Sequence, residues 1–378
     1  MTDTDIIVIG AGIAGASVAA HLAETQRVIL TEREDRPGYH STGRSAALFT
    51  EIYGNSLIRA LTRASRPFLF TPPPPFAESP LTRPRGCLYI ATTRQLGSLG
   101  KFAALPDIAP ATRPVSTADA RILCPVLRED YLAGALLEPD SSDIDVHALH
   151  HGYLRLFRSR KGRILNSAPV HALERAGGGW TVRAGAESLT ARIIINAAGA
   201  WADEIASLAG IARVGLVPYR RTAVLVDPPP GMAVNSWPFV NDIDEQFYFK
   251  PEGSSLFLSP ADETPAEPGD AQPDEWDVAT AVDRVQSATT LQIDRLKARW
   301  AGLRTFATDR TPVVGFSHQA EGFFWLAGQG GYGIQTAPAL SRAAASLALG
   351  LPLPEDLLQA GVRVEEMSPS RFTDRELP

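Results

Sequence analysis

Gly10, Gly12 and Gly15 stand in the spacing G-x-G-x-x-G, and Glu32 follows them downstream. These residue types in this order suit one chemistry, the holding of a dinucleotide. Gly10 permits a tight turn, Gly12 lets backbone N–H groups approach a pyrophosphate, and Gly15 lets a helix and a strand pack closely. The helix that starts here turns its positive end toward the anion. A carboxylate at Glu32 accepts hydrogen bonds from ribose hydroxyls and disfavours a 2′-phosphate. Other residues capable of chemistry lie in patterns that ask for less. His147, His150 and His151 fall at helical spacings, yet no carboxylate or thiolate motif accompanies them, so they read as a solvent-facing group and no metal site is expected. Cys87 and Cys124 are the only cysteines, too few for a disulfide framework or a zinc cluster.

The glycines need a strand before them and a helix after. Ile6 to Ile9 is a continuous β-branched run that suits a strand buried on both faces of a parallel sheet, Ala14 to Ala23 continues as a small-residue helix, and Val28 to Leu30 make the next strand. Arg33 to Ala47 then reads as a polar loop wrapping the cofactor, with Ser41, Thr42 and Ser45 as hydroxyl donors, Arg44 as a phosphate partner and His40 as a solvated residue. A second buried strand, Ile193 to Ile195, ends in Asn196-Ala197-Ala198-Gly199-Ala200-Trp201, small residues that leave room for a ligand across the strand ends. A third, Phe323 to Ala327, runs into the glycine turn Gly328 to Ile334 and a helix from Thr336 to Leu349.

Between these stretches the pattern changes. Ser56 to Ala64 is a helix, and Pro72 to Pro75 is a rigid connector. Cys87 to Ala91 and Ala133 to Leu137 read as strands, Thr117 to Leu123 as a helix capped by Ser116 or Thr117, and Asp145 to Arg158 as a helix with Val146, Leu149, Tyr153, Leu156 and Phe157 on one stripe. Val170 to Leu173 and Trp180 to Arg183 form a hairpin about Gly177 to Gly179. Pro218 to Trp300 reads as a separate, strand-rich domain with one helix, Trp276 to Leu291, and an exposed acidic, proline-rich loop, Ser259 to Gln272.

The 378 residues are 44% hydrophobic and 21% charged, core enough for two domains. The net charge of −6 argues against a nucleic-acid partner or a polybasic membrane patch. Met1 to Asp5 is acidic and lacks the basic end and apolar core of a signal peptide, and no uninterrupted apolar span of about 20 residues could cross a bilayer. A reducing cytoplasm is the simplest compartment, with peripheral attachment to the inner face of the membrane left open.

The Rossmann half, the strand ending Asn196-Ala197-Ala198-Gly199 and the late Asp309-x-x-Pro312-x-x-Gly315 with its glycine turn together resemble the D-amino-acid oxidase and dehydrogenase family of FAD enzymes, across essentially the whole chain. Gly38 to Ala47, Trp300 to Arg304 and Gln329 to Gln335 are most similar to the D-arginine dehydrogenases. The resemblance implies an α/β protein: a Rossmann-type FAD-binding domain over residues 1–82, 140–217 and 303–378, and a β-rich α+β substrate domain over 83–139 and 218–302. It implies non-covalent FAD. The adenosine end would lie on the first Rossmann unit, with Gly10, Gly12, Ile13, Ala14, Gly15 and Glu32. Arg33, Ser41, Thr42, Arg44, Ser45, Ala46, Val170, Ala198, Gly199, Trp201, Gly302 and Arg304 are further cofactor contacts. The glycine turn Gly330, Gly331, Tyr332, Gly333, Ile334 and Gln335 would sit under the flavin, with Asp309 near the ribityl chain.

By the same resemblance Arg221 and Arg304 hold the substrate carboxylate, Tyr53 and Tyr248 supply hydroxyls, and the Gly331 carbonyl faces the amine. The chemistry agrees, since guanidinium forks bind carboxylates in two parallel bonds, each charge-assisted bond worth roughly 1.5–3 kcal/mol. A carboxylate so fixed turns its Cα–H toward the flavin for hydride transfer. Two positions depart from the arginine enzymes. Cys87 stands where they have a glutamate for the cationic side chain, and Leu48 where they have a histidine. Losing that glutamate costs a cationic substrate about 2–3 kcal/mol, so neutral D-amino acids are expected to be favoured. Asp242, in the loop beginning at Asn241, restores a charge only if it points inward. Ser255 to Leu258 carries no lysine of the kind that promotes reaction with oxygen in the N-methyl amino-acid oxidases, which favours a dehydrogenase passing electrons to a quinone or other carrier. The rival readings are an N-methyl or cyclic imino-acid oxidoreductase, an oxygen-using D-amino-acid oxidase, and a nucleotide-binding sensor without catalysis.

Overall fold

The computed structural model describes residues 3–77 and 79–372. The β-branched runs form the middle of one sheet. Ile6–Ile9 lies between Val28–Thr31 and Ile193–Asn196, parallel to both, with Ile6 across from Val28 on one side and Ile193 on the other. Phe323–Ala327 and Arg163–Leu165 extend the parallel sheet, and Val313–Phe316 adds an antiparallel edge. Side-chain alternation decides what covers each face. Ile6 and Val8 join a core built with the helices Ile13–Leu22, Ser56–Phe70, Val146–Ser159 and Gly333–Ala348. Ile7 and Ile9 join another, built with the helix Ala202–Leu208 and a three-stranded sheet, Val170–Ala176, Gly179–Ala184 and Glu187–Ala191. A Cβ on Gly15 would lie 1.8 Å from the Gly10 carbonyl oxygen, so only glycine allows helix and strand to approach this closely.

The β-rich half is a nine-stranded sheet. Val217–Val226 and Leu296–Phe306 pair antiparallel over their length at one side, and Ser255–Ser259, Tyr248–Glu252, Phe239–Asp242, Cys87–Ala91, Gly134–Glu138 and Arg113–Val115 follow in that order. Val224, Phe249, Leu256 and Leu258 bury themselves with Val278, Ala281 and Val285 of the helix Glu275–Ala288. The alternate residues turn to the opposite face, toward the first sheet. The chain leaves this sheet at Phe306, three residues past the crossing expected at 303, and Val217 already belongs to it. The outer limits expected for the other domain, residues 1 and 378, lie outside the described residues. No helix among the described residues is long and apolar enough to cross a membrane.

Several local expectations are corrected. The helix Ser56–Phe70 runs on past Ala64 with Pro67 inside it, because Leu57, Leu61, Ser65 and Leu69 keep one face buried. The hairpin gains a third strand, Glu187–Ala191. His150 is not solvent-facing: it is 3% exposed, and its Nε2 lies 2.9 Å from the Ala11 carbonyl oxygen. Burial brings its pKa down to about 4, so it is neutral there. The Ser259 to Gln272 stretch is more than an exposed loop. Ser259 closes a buried strand, the buried Asp262 carboxylate accepts from both the N–H and the hydroxyl of Thr222, and Asp270 pairs with Arg44. Its acids read as solvated because their partners, Thr222 on a strand and Arg44 in the cofactor loop, are distant in sequence.

The connection between the two halves hangs on one buried carboxylate. Asp203 accepts the N–H groups of Val214, Gly215 and Leu216 at 3.1, 3.1 and 2.8 Å, just where the chain turns into the strand Val217–Val226. Asp203→Ala leaves these donors without it and is expected to destabilise the fold by about 3 kcal/mol in equilibrium denaturation. A loss under about 0.5 kcal/mol would show that the carboxylate does not secure the crossing.

Candidate functional site

A cavity of about 470 Å³ opens between the carboxyl ends of the parallel sheet and the inner face of the nine-stranded sheet. At one end Gly10, with φ +98°, takes the tight turn, and a Cβ there would meet the Ala197 carbonyl oxygen at 2.6 Å. A Cβ on Gly12 would approach only the Thr42 hydroxyl, at 3.2 Å, so its backbone is the surface offered to a ligand. Thr42 Oγ1 accepts the Ile13 N–H at 3.0 Å and fixes the loop over the helix start. Glu32 is buried, with Oε2 accepting from the Ala11 N–H at 2.9 Å and Oε1 from the Glu34 N–H at 3.0 Å. Held this way, the carboxylate has lone pairs left for ribose hydroxyls. Ile13, Ala14, Arg33, Ser45, Ala46, Val170, Ala198, Gly199 and Trp201 line the same cavity, Ala46 packed against Tyr248 and Phe257, and Arg33 lies over the Trp201 ring, 4.4 Å from its centroid.

Two loop residues do other work than expected. The Ser41 hydroxyl donates to the Leu303 carbonyl at 2.6 Å, so the cavity meets its oxygen rather than its proton. Arg44 ion-pairs with Asp270 and donates to the carbonyls of Ala271 and Ala301, which ties the loop to the second domain and neutralises the charge meant for a phosphate. Gly15 shapes the turn from behind without lining the cavity.

At the other end the strand register assembles the second set. Tyr219 stands across from Arg304 and Arg221 across from Gly302, so both arginines leave the same face, and the bare Gly302 leaves space beside Arg221. Asn241 faces Tyr248 across the next pair, and Phe239 faces Cys87. Arg304 donates to the hydroxyls of Tyr53 and Tyr248, each at 3.4 Å, and has no ion-pair partner among the described residues. A Cβ on Gly331 would lie 3.0 Å from Arg304 Nη1, so this peptide sits directly against the guanidinium. Burial works against the charge of Arg304, but the Tyr248 and Tyr53 hydroxyls and Glu245 more than offset it, and its pKa lies above the ordinary arginine value. Arg221 is 8% exposed, donates to Glu263 at 3.0 Å, and leaves its Nε without a partner. Burial raises Tyr53. In Tyr248 the same burial is outweighed by Arg304 and Arg221, and the phenol is pulled below its usual value.

Leu48, Cys87 and Asn241 line the cavity, whereas three other expected residues do not. Asp242 is fully buried and outside the cavity lining, its two oxygens sharing the Gln95 amide nitrogen at 3.0 and 2.9 Å and its Oδ1 also accepting the backbone N–H groups of Asp244 and Gln246. Asp309 is held by Arg371, at 2.7 Å, and by the Thr311 N–H, and so anchors the tail instead of a ribityl chain. Tyr332 turns its ring behind Tyr53, their centroids 4.8 Å apart, and braces it. Sequence reasoning missed Thr50, Tyr89, Phe239, Glu245, Phe257 and Gln329, all of which line the cavity. Phe239 and Phe257 were within reach by counting every second residue from Asn241 and Ser259. Glu245 was not, because its left-handed φ of +54° is set by the turn around Asp242.

The donor set fits a dinucleotide whose ring system reaches the arginines. Gln329 and Arg221 both line the cavity, and each keeps one buried side-chain nitrogen, Nε2 and Nε, without a partner among the described residues. The amino ends of two helices, Ile13–Leu22 and Gly333–Ala348, open on the same space. The family model described as "FAD dependent oxidoreductase" matches residues 5–347. Human mitochondrial sarcosine dehydrogenase is 24% identical over 348 residues, 85% of this chain and 37% of that one, so this chain spans well under half the length of that relative. Among solved structures, glycine oxidase from Geobacillus kaustophilus superposes with a TM-score of 0.81 at 20% identity, over 93% of this chain and 96% of that one. L-proline dehydrogenase from P. horikoshii gives 0.82 at 20% identity over the whole of both chains. These matches support the family as a whole and not the D-arginine dehydrogenases in particular. Gly12→Val would push a branched side chain into the cavity beside Thr42; the purified variant is expected to keep its far-ultraviolet circular dichroism and lose its flavin absorbance. Full flavin retention would place the cofactor elsewhere.

Proposed function

Because the chain belongs to the FAD-dependent oxidoreductase family, we propose that it is an FAD-dependent dehydrogenase of D-amino acids that favours neutral side chains, converting the amine to an imine that water hydrolyses to a 2-oxo acid and ammonia. The observation that carries this is Arg304, a guanidinium in the cavity with hydroxyl neighbours and no carboxylate partner among the described residues. A substrate carboxylate supplies the missing partner in two parallel bonds. Arg221, already shared with Glu263, adds a second donor. Non-covalent FAD, when bound, accepts the hydride from the substrate carbon. The protein's part is orientation: the arginines fix the carboxylate, Tyr53 and Tyr248 flank it, and the Gly331 carbonyl takes the amine N–H.

The preference for neutral side chains rests on the opposite wall, where Leu48, Cys87, Tyr89 and Phe239 line the cavity. Burial lifts the Cys87 thiol well above its ordinary pKa, so it offers no negative charge to a cationic substrate, and the carboxylate that does line the cavity, Glu245, acts on Arg304. Lys250 shares the face of Tyr248 but is bound to Asp143 and Glu252 at 3.0 and 2.8 Å and does not line the cavity, in keeping with electron transfer to a quinone or other carrier. A second reading, oxidation of N-methyl or cyclic secondary amines, is favoured by the names of the sarcosine and proline enzymes to which the chain is similar.

Anaerobic mixing of the flavoprotein with D- and L-amino acids and secondary amines decides between them. Bleaching by neutral D-amino acids and not by their L-forms supports the first reading, and bleaching by secondary amines alone moves the assignment to the second. Arg304→Ala is expected to lower kcat/KM by roughly a hundredfold to a thousandfold, the loss of a charge-assisted carboxylate pair, with Arg304→Lys recovering part of it. A loss under about threefold would remove Arg304 from substrate binding.

A further inference from the structure

Behind the cavity wall made by Thr50, Cys87 and Tyr89 lies a carboxylate without a task. Glu138 is 2% exposed, ends the strand Gly134–Glu138, and stands directly across from Cys87. Its Oε2 accepts the Thr50 hydroxyl at 2.7 Å and its Oε1 the Glu51 N–H at 3.0 Å. No cation is among its hydrogen-bond or ion-pair partners in the described residues. The titratable groups that face it are Glu51, already paired with Arg66 of the helix Ser56–Phe70, and Cys87 and Tyr89 of the neighbouring strand. Thr50 in turn lines the cavity, and its N–H donates to Gln335, another lining residue, which is itself tied to Thr62 at 3.0 Å. The hydroxyl is therefore held at both ends of its residue and has little freedom of place.

A hydroxyl has one proton and two lone pairs, and an ionised carboxylate can only accept. While Glu138 is charged, Thr50 must give its proton backward to Glu138, and the cavity meets only oxygen lone pairs. Once Glu138 is protonated it can donate to Thr50, and the hydroxyl proton is released to turn toward the cavity. We propose that Glu138 is a positioning residue that sets the hydrogen-bond polarity of Thr50, making Thr50 an acceptor for an N–H of the bound substrate when Glu138 is ionised. The inference rests on the reading of the cavity as an amine site and names one more group in it. Burial places the Glu138 carboxyl at about 7, so both polarities occur within the ordinary working range of pH. The sign follows: above that value both lone pairs of Thr50 are available to a substrate N–H, and below it Glu138 takes one of them while the hydroxyl proton competes for the cavity side, so binding weakens.

Infrared difference spectra of the protein across this pH range read the carboxyl directly. A buried carboxyl band titrating near neutrality, absent in Glu138→Gln, is expected, and Thr50→Val should move its midpoint upward by removing the hydrogen bond that favours the charge. An unmoved midpoint overturns the coupling whatever the substrate is. With a substrate that bleaches the flavin, the wild-type KM should rise about tenfold as pH falls through the Glu138 titration, the equivalent of one hydrogen bond. Glu138→Gln should abolish that step, Thr50→Val should raise KM at high pH, and Thr50→Ser should restore it. A pH step that survives in Glu138→Gln, or a KM indifferent to Thr50→Val, overturns the proposal. If no amine bleaches the flavin, the functional reading fails while the infrared titration still judges Glu138 and Thr50.

Discussion

The constraint on which the site depends is a guanidinium with no ion-pair partner among the described residues. Removing a charge from water costs on the order of several kcal/mol, and Arg304 has two phenolic hydroxyls at 3.4 Å and the peptide of Gly331 against it, with Glu245 acting at longer range. Such a group persists only where the surrounding framework is rigid enough to hold it. The framework here is the full-length pairing of Val217–Val226 with Leu296–Phe306, which presents Arg221 and Arg304 from one face and leaves Gly302 bare between them. The other face of the sheet is committed to the helix Glu275–Ala288, so the two strands cannot turn over without exposing that core. Position of charge and burial of apolar surface thus enforce the same register.

The same logic extends to the nucleotide end. Gly10, Gly12 and Gly15 each answer a different spatial demand, and the middle one opens onto the cavity. The loop that covers this end is drawn toward the second domain by Arg44 and Asp270 and by the Ser41 bond to Leu303. The two ends are therefore coupled through backbone: Leu303, which receives Ser41, immediately precedes Arg304. The Ser41 bond thus ties the loop over the nucleotide to the residue next to Arg304.

Much of this was legible in the sequence, and the limits follow from physics. Buried parallel strands such as Ile6–Ile9 and Phe323–Ala327 announce themselves as unbroken apolar runs, and the glycine spacing fixes what lies between them. The family resemblance located Arg221, Arg304, Tyr53, Tyr248 and Cys87, all of which line one cavity. What could not be read was the direction of polar side chains. Asp242 and Glu245 are three residues apart and both carboxylates, yet one is consumed by Gln95 and its own turn while the other reaches the cavity. Asp309 and Arg44 likewise carry the right charge and spend it on Arg371 and Asp270. His150 failed for the converse reason, since a histidine in a polar-looking run was drawn inward by one carbonyl, that of Ala11. Periodicity reports which face is buried; it does not report which partner arrives from another element.

The unequal setting of the two arginines then has a consequence for binding. Arg221 already has Glu263 at 3.0 Å, and Glu263 is shared in turn with Arg310 at 2.6 Å. A carboxylate entering the cavity gains little new Coulomb energy from a cation so compensated, and gains most from Arg304. One open and one compensated cation give an anchor with a defined direction. On the proposed reading, discrimination between substrates falls to the groups that would face the rest of the molecule: the apolar wall at Leu48 and Phe239, and the hydroxyl of Thr50, whose backbone N–H is held by Gln335. A single hydrogen bond or methylene there would decide more than a further cation would.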